Sequence, residues 1–330
     1  MISDIGNFSK KVILDGGKIV PLLVQPDKMV GPSLMNPSIL NIDGKLLVNL
    51  RNVNYVLYHA EDGVNEHVWG PLCYLHTEQN AVLATHNILC FLDDNFNIVN
   101  SSIVDTTQLD QKPLWEFIGL EDARLTYWNN KLYLSGVRRD TTTNGQGRIE
   151  LSEITIDENN NAKEISRQRL PAPPPDTSYC EKNWMPISDR PYQYVKWTNP
   201  TEVVEYDPAT KETKTIVLTE FQNLNTRDLR GGSQVIPYGD YYLGLLHEVD
   251  LFKSEAGRKN ATYRHRFALW DQSFNLLRVS PRFDFMSGEI EFACGMTEYN
   301  NQILITFGFQ DNASYLLVIN KSTINELVSL

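Results

Sequence analysis

Short runs of alternating apolar and polar residues, punctuated by Gly, Asn and Asp, run the length of this chain and predict many short strands joined by tight turns. Pro37-Ser-Ile-Leu-Asn-Ile meets Asp43-Gly44, a favoured hairpin dipeptide, and continues as Lys45-Leu-Leu-Val-Asn-Leu. The design recurs. Ala123-Arg-Leu-Thr-Tyr-Trp turns at Asn129-Asn130, Ser233-Gln-Val-Ile-Pro near Gly239-Asp240, and Cys294-Gly-Met-Thr-Glu-Tyr at Asn300-Asn301. Hairpins of a second kind lie between these, with turns near Asp93-Asp94, Asn159 to Asn161, Asp207-Pro208 and Asp271-Gln272. No helix of three turns is predicted; the best helical stretch runs from Ser322 to Val328.

Two hairpin types in alternation suggest inner and outer pairs of four-stranded blades, hence an all-β propeller. At roughly 40–50 residues per blade plus loops, 330 residues favour five blades or six over seven or eight. Five is the expectation carried forward, and a pair of β-sandwiches is the rival architecture. Pro171 to Pro175 is a stiff spacer. The hairpin pattern resumes unchanged after it, so it reads as a loop between blades, and residues 1–330 as a single domain.

Composition narrows the function. Hydrophobic residues make up 42% and charged residues 22%, which excludes a disordered chain. Thirty basic residues against 41 acidic ones leave a net charge of -11. A field of that sign disfavours nucleic acid and anionic membrane as partners. The N-terminal MISDIGNFSKK has no apolar signal core, and no apolar run is long enough to span a bilayer. Cys73, Cys90, Cys180 and Cys294 show no metal-binding or redox spacing. The expectation is a cytoplasmic protein with no metal and no cofactor.

Candidate chemistry sits where the first-kind hairpins begin. Asn36 precedes the first, Glu121 and Asp122 the second, Arg230-Gly231-Gly232 the third and Glu291 the fourth. In a propeller the inner strands start around one channel mouth, so these side chains would converge. Carboxylates with planar amide and guanidinium groups suit a sugar. The plain alternative is that Asp and Asn begin strands as turn residues.

Six motifs in chain order carry a resemblance. Gly119-Leu-Glu-Asp-Ala-Arg-Leu resembles the Gly-x-Glu-Asp-Pro-Arg-Ile motif of glycoside hydrolase family 130. Glu181-Lys-Asn-Trp-Met-Pro resembles its Lys-Asn-Trp segment, and Leu246-His-Glu-Val stands where the family has Tyr-His-Gly-Val. Tyr263-Arg-His-Arg-Phe-Ala-Leu-Trp-Asp, Ile290-Glu-Phe-Ala-Cys-Gly and Phe307-Gly-Phe-Gln-Asp-Asn resemble its later motifs. The resemblance implies a five-bladed propeller and a mannoside phosphorylase or hydrolase. A sugar-nucleotide-dependent glycosyltransferase and a non-catalytic glycan-binding propeller are the alternatives.

It also implies roles. Asp122 would be the general acid, giving its proton to the glycosidic oxygen through a sugar hydroxyl while phosphate attacks with inversion. Asn36, Ser38, Arg51, Glu121, Lys182, Asn183, Glu291 and Asp311 would bind the sugar. A phosphate dianion needs several cations, for which Arg138, Arg139, Arg230 and His247 are the candidates, with Arg148 and His265 behind them. Inorganic phosphate would be a co-substrate, an oligosaccharide or sugar phosphate the partner, and a homo-oligomer is compatible with this picture. Trp115 and Trp184 lie beside the candidate segments and could stack on sugar faces.

Overall fold

The computed structural model describes residues 4–59, 72–75, 82–221, 229–253 and 259–329. The chain is an all-β propeller. One four-stranded antiparallel sheet is built from Glu121–Trp128, Lys131–Arg138, Arg148–Ile156 and Ala162–Arg169. A second comprises Met185–Pro186, Gln193–Thr198, Thr201–Asp207 and Glu212–Thr219. A third joins Glu291–Tyr299, Gln302–Phe309 and Ala313–Asn320 to the N-terminal strand Lys18–Pro21. That last pairing, Lys18 opposite Val318, lets the start of the chain complete the sheet at its end.

The expectation of five four-stranded blades is corrected: only these three sheets keep the four-strand plan. The sheet of Ser33–Ile42, Lys45–Val53, Leu83–Leu92 and Ile98–Ile103 gains a fifth strand, Phe117–Ile118. Another sheet has seven strands. Its centre is the long hairpin Tyr241–Lys253 and Lys259–Trp270, whose 13 and 12 residues outrun an ordinary blade and recruit short strands at both ends. A separate two-stranded ribbon pairs Val56–His59 with Leu72–Leu75.

The innermost strands touch in turn and close a circle. Ser33–Ile42 contacts Glu121–Trp128, which contacts Met185–Pro186; Arg230–Gly231 packs on Gln193–Thr198, Ile236–Tyr238 on Glu291–Tyr299, and that strand returns to Ser33–Ile42. Apolar layers fill the gaps between neighbouring sheets. Leu47 and Leu89 meet Leu125 and Leu134, while Val48 and Ile88 meet Leu304 and Val318 on the opposite side.

The local turn chemistry follows the sequence. Asp43-Gly44, Asn129-Asn130 and Asn300-Asn301 all sit at hairpin tips with both residues at positive φ, where Gly and Asn are least penalised. Three of the four outer hairpins share one device. Asp93 Oδ1 accepts from the backbone N–H groups of Asn95 and Asn97, and Oδ2 accepts from the Asn97 amide. Asp157 with Asn161, and Asp271 with Asn275, repeat it. The acidic Asp93-Asp94-Asn95 run is therefore a self-satisfied turn. Pro171 to Pro175 lies in a loop between two sheets.

Among the described residues two short α-helices flank the strands. Lys321–Val328 is the expected C-terminal one. Phe8–Leu14 was not legible, since seven residues give too little periodicity; Asn7 caps it by accepting from the Lys10 N–H, and Phe8 and Val12 are buried. No helix among the described residues is long and apolar enough to cross a membrane. Cys90, Cys180 and Cys294 are free thiols; the Cys73 side chain lies outside the described residues.

Gln234 bridges three inner strands at the centre. Its amide donates to the Ile39 and Leu125 carbonyls, and its oxygen accepts from the Met296 N–H. Gln234→Leu would strip partners from backbone groups that water does not reach. We expect a loss of about 1–3 kcal/mol for each group left unpaired, read as a lower urea midpoint at unchanged slope.

Candidate active site

Three inner strands break register at equivalent points near the channel mouth. The bulges fall between Met35 and Ser38, Glu121 and Arg124, and Ala293 and Gly295. A bulge re-aims side chains and leaves a carbonyl outside the ladder. Neighbouring side chains capture these carbonyls. Thr306 donates to Pro37 O at 2.6 Å, Ser38 to Ala123 O at 2.7 Å, and the Cys294 thiol to Asp122 O at 3.3 Å. Asn36 (φ +45°) and Asp122 (φ +49°) occupy the left-handed region, which Asn and Asp tolerate better than most residues. Asn183 (φ +62°) and Asp311 (φ +48°) do the same elsewhere around the mouth. Gly308 makes room for this, since a Cβ there would lie 2.4 Å from Asn36 Oδ1.

The result is a polar cluster built around one guanidinium. Arg51 Nη1 donates to Asp122 Oδ1 at 2.9 Å, Nη2 to the Tyr55 hydroxyl at 2.9 Å, and Nε to Thr85 Oγ1 at 3.2 Å. Glu121 Oε2 lies 3.6 Å from Arg51 Nη2. The Asn36 amide also donates to Asp122 Oδ1, at 2.7 Å. Asp311 belongs to the same electrostatic neighbourhood, its charge acting on Arg51, Tyr55 and Tyr263.

On the far wall, His247 stacks on Tyr263 with ring centroids 5.8 Å apart and meets the Phe292 ring edge-on. Arg230 is its cross-strand partner. The charges of Arg230 and Lys182 both reach the His247 ring. Neither cation has an ion pair or hydrogen bond among the described residues, and Lys182 is exposed. Arg139 donates Nε to Gly145 O, and its charge is felt at Glu121.

The charge states follow from these contacts. Burial pushes the Asp122 carboxyl up, but Arg51 and the Asn36 amide outweigh it, and its pKa lies below the ordinary value. For Glu121 burial wins over Arg51, and the pKa is raised. Burial, assisted by nearby positive groups, holds His247 well below the usual histidine range; His265, buried beside Arg264, falls to about 3. Burial and the charges of Asp311 and Asp122 push Tyr263 up to about 12.

Both histidines are neutral when folded but take up protons below about pH 6.5 when unfolded. A depressed histidine pKa therefore makes stability fall as pH falls below that value. The expected slope is up to about 1.4 kcal/mol per pH unit for each histidine, measured as unfolding free energy at pH 7 and pH 5.

Several sequence candidates are spent elsewhere. Ser38 is fully buried and stitches two inner strands together, donating to Ala123 O and accepting from Leu125 N–H. Glu291 is fully buried; its oxygens accept the N–H groups of Phe285, Met286 and Gly288, so it shapes the loop before it and does not face a sugar. Arg138 is not at the mouth. Its Nε lies 2.8 Å from Glu150 and its Nη1 donates to Asp140 at 3.3 Å, and it lines a cavity of about 540 Å³. Arg148 is likewise held, by Asp176 and Ser178 O. Asn183 accepts from Arg124 at 3.4 Å. His265 accepts the Ala293 N–H, and Trp184 is a core residue bonded to Glu181.

Arg124, Tyr55 and Tyr263 were missed as site residues. Arg124 is almost fully buried; it donates to Gly232 O, Asp122 O and Asn183 Oδ1 and lies 5.8 Å from the Phe292 ring. A lone arginine between Ala123 and Leu125 in an inner strand was the available signal. Among the described residues no group of three or more His, Cys, Asp and Glu side chains could hold a metal ion.

No family model matches the sequence, and no curated protein does. Solved structures do match. A β-1,2-mannobiose phosphorylase from Listeria innocua, in complex with β-1,2-mannobiose, superposes with a TM-score of 0.53 at 14% identity, covering 94% of this chain and 96% of that one. A mannose phosphorylase from Leishmania mexicana, in complex with phosphate ion, gives 0.52 at 13% identity over 95% and 92%. A structure from work on family 130 hydrolases that target β-1,2 mannosidic linkages in Candida mannan gives 0.57 at 13% identity over 92% and 91%. The chain shares their fold. Its alignment with each is nearly end to end, so no large part of the propeller is added or lost.

Proposed function

We propose that this protein is a distant member of glycoside hydrolase family 130 that breaks or forms mannosidic bonds, by inverting phosphorolysis or hydrolysis. One observation carries the reading. Asp122 is turned into the mouth by its bulge and held through Oδ1 by Arg51 and Asn36, while its Oδ2 has no hydrogen-bonding partner among the described residues. A carboxylate so fixed can accept a sugar hydroxyl and face positive charge developing at the anomeric carbon. The ordered motifs around Glu121-Asp122, Lys182-Asn183 and His247, and the near-complete overlap with mannoside-active propellers, support the same reading.

Within it, the sheets that follow one another round the axis are the blades of a single domain spanning residues 1–330. Asn36, Arg51 and Asp311 hold the sugar. Lys182, Arg230 and Arg139, with His247 as a neutral donor, form the phosphate side of the pocket. Arg138 plays no part. The Listeria enzyme makes a β-1,2-linked mannobiose the first substrate to test.

The test is to incubate purified protein with β-1,2-mannobiose and a panel of other mannobioses, with and without phosphate. Mannose 1-phosphate formed only with phosphate establishes phosphorolysis; free mannose without it establishes hydrolysis. No product from any mannoside, or nucleotide released from a nucleotide mannose instead, overturns the reading.

A further inference from the structure

Arg124 is 1% exposed and is among the largest side chains enclosed by the propeller. The other buried arginines of the described residues each face a carboxylate: Arg51 that of Asp122, Arg138 that of Glu150 and Arg148 that of Asp176. A charge taken out of water needs compensation. Arg124 has no ion pair among the described residues, and its hydrogen bonds go to oxygens without formal charge. Nε donates to Gly232 O at 2.9 Å, Nη1 to Asp122 O at 2.8 Å and Nη2 to Asn183 Oδ1 at 3.4 Å. The Phe292 ring, its centroid 5.8 Å from the guanidinium carbon, adds a cation–π contact.

These acceptors lie on three segments of the mouth. Asp122 opens an inner strand, Asn183 follows Lys182, and Gly232 stands two residues after Arg230. The segments are pressed together: a Cβ at Gly231 would lie 2.1 Å from Asn183 O, and one at Gly232 2.5 Å from Leu245 O. A guanidinium holds its donors in one plane, so serving all three acceptors sets their relative positions; an ammonium has no such fork. The Asp122 carbonyl lies inside the bulge, and the Cys294 thiol reaches it at 3.3 Å from a fourth segment. Clamped between Arg124 and Cys294, that peptide is fixed, and the positive φ of Asp122 carries its carboxyl to Arg51 and Asn36.

We propose that Arg124 is a positioning residue which, with Cys294 on the same carbonyl, fixes the Asp122 carboxyl relative to the Lys182 and Arg230 side of the pocket. This rests on the function proposed above. Enclosed as it is, Arg124 touches no substrate; it acts through Asp122, Asn183 and Gly232. Replacing it misplaces those groups without removing any of them. Most of the loss should therefore depend on an intact Asp122 being there to misplace.

A double-mutant cycle tests this. The kcat of wild type, Arg124→Lys, Asp122→Asn and the double variant is measured on the mannobiose that the wild type turns over, with preparations matched by circular dichroism. Lysine keeps the charge and much of the volume but loses the fork. Arg124→Lys is expected to lower kcat by about 10²-fold, the order of loss that a misplacement of about 1 Å causes. In the Asp122→Asn background the same substitution should lower kcat by less than about threefold, because groups that act as a unit do not lose activity multiplicatively. A merely structural role lowers kcat by the same factor in both backgrounds. If Arg124→Lys does not fold, Cys294→Ala takes its place in the cycle, with a smaller loss in the same pattern. Equal factors in the two backgrounds, or a wild-type kcat in the single variant tested, overturn the proposal and leave the function standing. A wild type inactive on every mannoside overturns the function and the proposal with it.

Discussion

Asp122→Asn is expected to lower kcat by about 10²–10³, the usual cost of removing one preorganised electrostatic partner of a transition state. The amide keeps the size of the side chain. Its carbonyl oxygen still accepts from the Asn36 amide and Arg51 Nη1, which now meet Oδ1 at 2.7 and 2.9 Å. What disappears is the negative charge. The sugar hydroxyl loses a charged acceptor, and the anomeric carbon loses a counter-charge as the bond to the leaving group breaks. A second consequence reaches Glu121. Asp122 is one of the groups that raise its pKa, and without that charge Arg51, Lys182 and Arg139 favour its ionised form. The Glu121 carboxyl should therefore ionise at lower pH in Asp122→Asn. The measurements are kcat against pH, and a circular dichroism spectrum like that of the wild type. An Asp122→Asn enzyme of full activity would return Asp122 to the plain part of a turn residue at a strand start.

Arg51→Met is expected to have the largest effect on stability. The guanidinium, 8% exposed, is among the described residues the one cation in direct contact with both carboxyls, and it also donates to Tyr55 and Thr85. Methionine fills much of the space and supplies none of the charge. Breaking a buried pair from one side costs about 3–5 kcal/mol, since the remaining charge is left uncompensated. The pH dependence gives the sign. With Arg51 gone, burial holds both folded-state carboxyl pKa values above their unfolded values. Such groups cost nothing below the unfolded pKa, near pH 4, and cost progressively more as pH rises through the folded value. The deficit against wild type should be large at pH 7 and small at pH 4 in urea unfolding. A deficit of the same size at both would assign it to packing. Turnover should be lost alongside, because Asp122 is no longer held in place.

Turns, hairpins and the convergence of polar strand starts were legible in the sequence, because each depends on residues a few positions apart. Asp43-Gly44 and Asn129-Asn130 adopt positive φ at little cost, and the Asp93, Asp157 and Asp271 turns satisfy themselves through the asparagine four residues on. The propeller follows from repeating such units. Tertiary structure decided the rest. Closure of the last sheet pairs Lys18 with Val318, a partnership that no local pattern encodes. Strand counts depended on how far the Tyr241–Lys253 hairpin outgrew its sheet. Ser38, Glu291 and Arg138 have the right chemistry for a sugar or phosphate, yet Ala123 O, the 285–288 backbone and Glu150 had already taken their hydrogen bonds and charge. Glu121 and Asp122 show the limit most clearly. Their adjacency in the chain would send them to opposite faces, and only a bulge, visible once the strands pair, sets both carboxyls against Arg51 and separates their charge states.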